Sequence, residues 1–151
     1  MTDSPPQVNN RQPSAGKRTD FTFFDSITLR YADNDANGHV NNAHYYAFFD
    51  TAVESYLRAH QLRHVLAGDI STPVVASSCR YFREIAYPGT ITLGVRVVRI
   101  GRTSITYDIA IFVGEEDHAS AQGTFTTVAT SRQTKRPVPV PPAFRAAHPD
   151  S

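Results

Sequence analysis

Cysteine is nearly absent. Cys79 stands alone among 151 residues, which excludes an intramolecular disulfide and a zinc site built on clustered cysteines, and points to a reducing compartment, the cytoplasm by default. An excess of one charge is equally lacking. Fifteen Lys and Arg face fourteen Asp and Glu, for a formal net charge of +1, so no broad field is available to hold nucleic acid or an anionic membrane. Long apolar runs are missing as well. The first twenty residues contain no signal-peptide core, and no stretch is long enough to span a bilayer. Secretion and membrane insertion are therefore not expected. The 40% hydrophobic content that remains suits one globular domain with one core and one site.

Residues 1–20 are rich in Pro, Ser, Asn, Gln and Arg without periodicity, and read as a flexible tail. Phe21, Phe23, Ile27, Leu29 and Tyr31 then share one side of a two-residue alternation, predicting a half-buried strand. Behind it, Asn41 or Asn42 can cap a helix running to about His60, in which Tyr45, Phe49, Ala52, Val53 and Tyr56 recur at helical spacing. Tyr46 and Phe48 add aromatic surface away from that stripe, so the helix is expected to be wrapped by other elements. Pro73 opens a second strand toward Phe82. Alternating runs at Ile91–Val97, Ile105–Val113 and Ala119–Thr130 predict three more, and Gly123 in the last suggests a bulge or a close approach of another backbone. The order is one strand, one long helix and four strands joined by short turns. An α+β fold follows, with a five-stranded antiparallel sheet around one long central helix. The domain is expected over 21–131, followed by a basic, proline-rich extension over 132–151 in which Ala143 to Ala147 can form one helical turn.

Between the first strand and the helix lies Arg30-Tyr31-Ala32-Asp33-Asn34-Asp35-Ala36-Asn37-Gly38-His39-Val40-Asn41-Asn42. Two carboxylates, an imidazole and a glycine are placed there beside a helix N-terminus, where free backbone N–H groups and the positive end of the dipole lie. On spacing alone, Asp35 reads first as an aspartate making an Asx turn or a cap, the ordinary use of aspartate before a helix, and second as a reactive carboxylate. His39 reads as a substrate contact or as a structural residue beside a glycine turn. Asp33, Asp35, His39 and His44 do not show a recognised metal-ligand spacing, so no metal is expected. Glu54 pairs with Arg58 at i,i+4, and Cys79, in a strand pattern, reads as a small packed side chain rather than a nucleophile.

This stretch resembles the hotdog-fold thioesterases, in the hydroxybenzoyl-CoA thioesterase and YbgC-like branch. The pattern R-[YF]-x-D-x-D-x-x-G-x-V is carried by Arg30, Tyr31, Asp33, Asp35, Gly38 and Val40, and His39-Val40-Asn41-Asn42 is a common form of its end. Asn34 departs from the threonine often found between the two aspartates. Similarity continues through Thr72-Pro73-Val74-Val75 and Tyr87-Pro88-Gly89 to about Ala147.

The resemblance implies a hotdog fold and hydrolysis of an acyl-CoA thioester, coenzyme A being part of the substrate and no cofactor being needed. It implies Asp35 as general base or nucleophile and the backbone amide at Asn42 as an oxyanion donor; His39, by its residue type and place in the loop, is a candidate hydrogen-bonding partner of substrate or Asp35. The resemblance further implies substrate contacts from Tyr45 and, at the nucleotide end, from Arg102 and Arg99, which otherwise read as solvated turn arginines. Asp33 is expected to brace the loop. A homodimer or homotetramer with its sites at the subunit boundary is implied, with no nucleic-acid or membrane partner. Two other functions fit the same scaffold: a hotdog dehydratase or hydratase, and a non-catalytic acyl-CoA binding module.

Overall fold

A computed structural model describes residues 14–151. Its elements are β1 (Phe23–Thr28), α1 (Asn42–Ala59), β2 (Ile70–Ser71), β3 (Val74–Tyr81), β4 (Thr90–Ile100), β5 (Ser104–Val113), β6 (Ala121–Val128), β7 (Thr130–Ser131) and α2 (Pro142–Ala146). Five strands form one antiparallel sheet in the order β1-β4-β5-β6-β3, while β2 and β7 make a separate two-stranded ribbon. The sheet wraps α1, so the architecture expected from the alternating runs and the one helical stretch is the one observed.

The inward face of the sheet is built from the period-2 residues: Ile91, Leu93 and Val95 of β4, and Ile105, Tyr107, Ile109 and Ile111 of β5, are all buried. Against them α1 lays Tyr45, Phe48, Phe49, Ala52, Tyr56 and Leu57. Phe49 is fully buried and meets Phe125 edge-on at 5.6 Å between ring centres, a burial worth about 1.5–3 kcal/mol. Gly123 sits in continuous register with Cys79 and Ile109. A side chain there would run into the Ser78 carbonyl and the Phe49 ring, so of the two readings of this glycine the close approach is correct and the bulge is not.

Three expectations need correction. Phe21 and Tyr31 do not continue the buried face of β1. Phe21 instead lies on the outer face of the sheet over Gly94, in a small cluster with Ala110, Phe112 and Ala119, and Tyr31 is 82% exposed. Nor are the residues before β1 a tail as far as Asp20. The Gly16 N–H donates to Gln122 at 2.8 Å, Lys17 bridges His118, and the Arg18 side chain donates to the Gly114 and Glu116 carbonyls. Residues 1–13, the rest of that expected tail, lie outside the described residues. The 132–151 segment is no appendage either. Val140 and the α2 residue Phe144 are part of the main core, because apolar positions between the prolines pack while the prolines hold the chain extended. No helix among the described residues is long and apolar enough to cross a membrane.

Candidate active site

The chain leaves β1 into an extended Arg30 and a 3-10 turn at Tyr31–Asp33. Asp33 is 1% exposed and takes the Arg30 backbone N–H at 2.7 Å and its guanidinium at 2.8 Å, with His44 Nδ1 of α1 at 3.8 Å. Burial pushes this carboxyl up, but the Arg30 hydrogen bonds and charge outweigh it, and it ends below the usual carboxylate range. The Asp33 carbonyl also accepts the Asn41 N–H at 2.9 Å. Asp33 therefore braces the loop against the start of α1.

From Asn34 to Val40 the loop closes on itself. Those two residues form an isolated bridge, and the Asp35 N–H donates to the His39 carbonyl at 2.9 Å. Asp35 Oδ1 accepts the Asn37 N–H at 2.8 Å in an Asx turn, and the reversal is completed by Gly38 at φ 85°. The structural use of Asp35 thus occupies one carboxylate oxygen. Oδ2 has no hydrogen bond among the described residues, so the two readings of this aspartate are compatible.

Asn41 caps α1, its side chain accepting the Ala43 N–H at 2.9 Å. Asn42 is the first helical residue, and its N–H has no partner among the described residues. An unpaired donor at the start of an 18-residue helix carries the positive dipole end.

A cavity of about 380 Å³ opens here. Asp35, His39, Val40, Asn42 and Tyr45 form one wall, and residues 81–85 form the other. Tyr45 and Tyr81 meet edge-to-face at 4.8 Å, and burial, with Cys79 nearby, pushes both phenols up to about 12. They are neutral hydrogen-bond donors at any ordinary pH. Burial also raises the Cys79 thiol, which disfavours thiolate and a nucleophilic role. Glu54 is bound to Arg58 at 2.8 Å and to Arg63 at 3.3 Å, remote from this cavity.

Four candidate residues are therefore brought together: Asp35, His39, Asn42 and Tyr45. Arg99 and Arg102 are not. They flank the tip of the β4–β5 hairpin, at the far end of the eleven-residue β4 from the Tyr87–Gly89 turn beside the loop. At the rise of a strand that is roughly 30 Å away. The wall of residues 81–85 escaped the sequence reading, including Glu84, whose Oε1 lies 3.3 Å from His39 Nε2. Only the nearby Tyr87-Pro88-Gly89 turn hinted that this segment folds back toward the loop.

A five-stranded antiparallel sheet around a single long helix, with a carboxylate and a helix N-terminus in one cavity, defines a hotdog-fold protein. Residues 29–148 match the model of the thioesterase-like superfamily. The PA5185 protein of Pseudomonas aeruginosa is 41% identical and superposes with a TM-score of 0.81 over 88% of this chain and 93% of its own. A 1,4-dihydroxy-2-naphthoyl-CoA thioesterase from Synechocystis shares the fold at 20% identity, with a TM-score of 0.75 over 85% of this chain and 96% of its own. YsmA of Bacillus subtilis is 26% identical over 124 residues, 80% of this chain and 81% of that protein. The chain belongs to the thioesterase-like superfamily.

Proposed function

We propose that the chain hydrolyses an acyl-CoA to a carboxylic acid and free coenzyme A at the Asp35 cavity. The observation that carries this is the pairing, in one cavity, of a carboxylate with one oxygen held and an N–H at the start of α1, the other carboxylate oxygen and that N–H having no partner among the described residues. A thioester is already electrophilic and its leaving thiolate is stable, so a carboxylate suffices without a metal. In one route Asp35 takes a proton from water as the water oxygen bonds to the acyl carbon. The resulting oxyanion is held by the Asn42 N–H, and the C–S bond then breaks, with the proton passing to the thiolate. In the other, Asp35 attacks the carbon itself, expels the thiolate and forms an anhydride that water opens. Tyr45 and Tyr81 supply neutral donors and flat apolar surface for the acyl part. The test is free-thiol release from a panel of acyl-CoAs, with acyl-pantetheine as the truncated comparison.

The working unit is a homodimer paired through β3. This strand is bonded on one side only, to β6, and its free edge exposes Val74, Val75 and Tyr81. Such an edge calls for a partner. Antiparallel pairing of two copies of β3 about a two-fold axis sets the Val74 end of one against the Tyr81 end of the other. The hairpin tip carrying Arg99 and Arg102 lies toward the Val74 end, since Ser104 pairs with Val128 and the Val128 N–H reaches the Pro73 carbonyl. Pairing thereby brings the partner's arginines toward the mouth of this cavity, where the phosphates of coenzyme A would meet guanidinium forks.

A further inference from the structure

We propose that Asn34 is a positioning residue for Asp35, tying the loop that carries the carboxylate to the chain at Tyr87, two residues beyond the opposite wall of the cavity; this role rests on the functional reading above. Asn34 Oδ1 accepts the backbone N–H of Tyr87 at 3.0 Å, across 53 residues of chain, while its Nδ2 donates to the Gly38 carbonyl at 3.3 Å. One amide therefore binds both the segment that continues the far wall and the turn of its own loop.

The arrangement matters because of what the other contacts do not fix. The bonds from the Asp35 N–H to His39, from Gly38 to Asp35 and from Asn37 to Asp35 Oδ1 all lie inside the loop. They set its shape and move with it. Among the described residues, the hydrogen bonds joining residues 34–40 to residues 81–87 are two: Asn34 with Tyr87, and the Val40 N–H to the Ile85 carbonyl at 2.7 Å. They stand at the two ends of the loop, with Asp35 next to the first. The His39–Glu84 contact adds little, because Glu84 is largely exposed. Removing the Asn34 amide leaves the Val40 bond as the one hydrogen bond from the loop to residues 81–87 among the described residues, so the end that carries Asp35 keeps its brace to α1 but loses its tie to that segment. Asparagine suits this position because one side chain offers an acceptor and two donors. A threonine hydroxyl reaches less far and cannot span both partners.

The test compares Asn34→Ala and Asn34→Asp in the full chain, using acyl-CoA turnover and amide hydrogen exchange. Asn34→Ala is expected to lower kcat about tenfold or more, since displacements of about 1 Å cost on the order of 10²-fold, with KM changed less than about twofold. Its Tyr87 amide should exchange faster while the Val40 amide keeps its protection. Asn34→Asp retains the acceptor and should recover most of kcat together with the Tyr87 protection. A role in folding alone would lower the melting temperature without this split. If Asn34→Ala does not fold, Asn34→Thr carries the same expectations. Parental kcat in Asn34→Ala, or unchanged Tyr87 exchange, would overturn the role of Asn34 alone. A parental chain inert toward every thioester would overturn the functional reading and this role with it.

Discussion

The Arg30 guanidinium lies 2.8 Å from Asp33 Oδ1, and the backbone N–H of Arg30 binds the other carboxylate oxygen at 2.7 Å. This clamp makes one aspartate of the signature a brace, while the other, Asp35, keeps one oxygen without a hydrogen bond among the described residues. Asp33→Asn is expected to cost about 1–3 kcal/mol, which for a chain of this length lowers Tm by roughly 2–12 °C, with a smaller effect on kcat. The folded-state pKa of Asp33 lies below its unfolded value. Its contribution is therefore fully present above the unfolded value of about 3.9 and is lost as pH falls through the folded value. Acid melts of parent and variant should converge at the low end. Equal acid sensitivity at all pH would remove Asp33 from its bracing role.

Gly123→Ala tests the packing of β6 between β3 and α1. An added Cβ meets the Ser78 carbonyl and the Phe49 ring, and backbone cannot yield as a flexible side chain does. The expected loss is about 1–3 kcal/mol, read by thermal or urea unfolding. A variant as stable as the parent would contradict the close packing.

Val75→Lys places a charge on the free edge of β3. Sedimentation should show a dimer in the parent and a monomer in the variant, and activity per chain should fall with the dimer. A fully active monomer would end the shared-site arrangement.

Arg102→Ala is expected to raise KM for acyl-CoA severalfold with kcat little changed, as for lost uniform binding. With acyl-pantetheine, which lacks the phosphates, the effect should vanish. Equal losses on both substrates would mean that Arg102 does not meet the nucleotide end.

How much of this was legible in the sequence follows from which interactions are local. The α1 stripe and the alternation in β4 and β5 are properties of neighbouring residues, and they placed the helix and sheet. The loop was legible because Asp35, Gly38 and the Asn41 cap interact within a few residues of one another. Phe21 misled because the two-residue period of the sequence starts before the strand does, and nothing local reveals that Gly94 leaves room for the ring on the outer face. The Glu84 wall, the Asn34–Tyr87 tie and the distance of Arg102 from Asp35 depend on contacts or separations across much of the chain. Those are decided by the tertiary fold and not by any pattern in a short window.

The central claim is that Asp35 drives hydrolysis as general base or nucleophile, and the most direct measurement is free-thiol release by purified parent and Asp35→Asn, each first shown to have the same melting temperature and sedimentation. The substitution keeps the shape and the Oδ1 acceptor for the Asn37 N–H but removes the basic, nucleophilic character of the side chain. The account predicts a loss in kcat of about 10²-fold or more with KM nearly unchanged, since general acid–base participation contributes typically 10²–10⁴-fold. Hydrolysis by Asp35→Asn at the parental rate would contradict it.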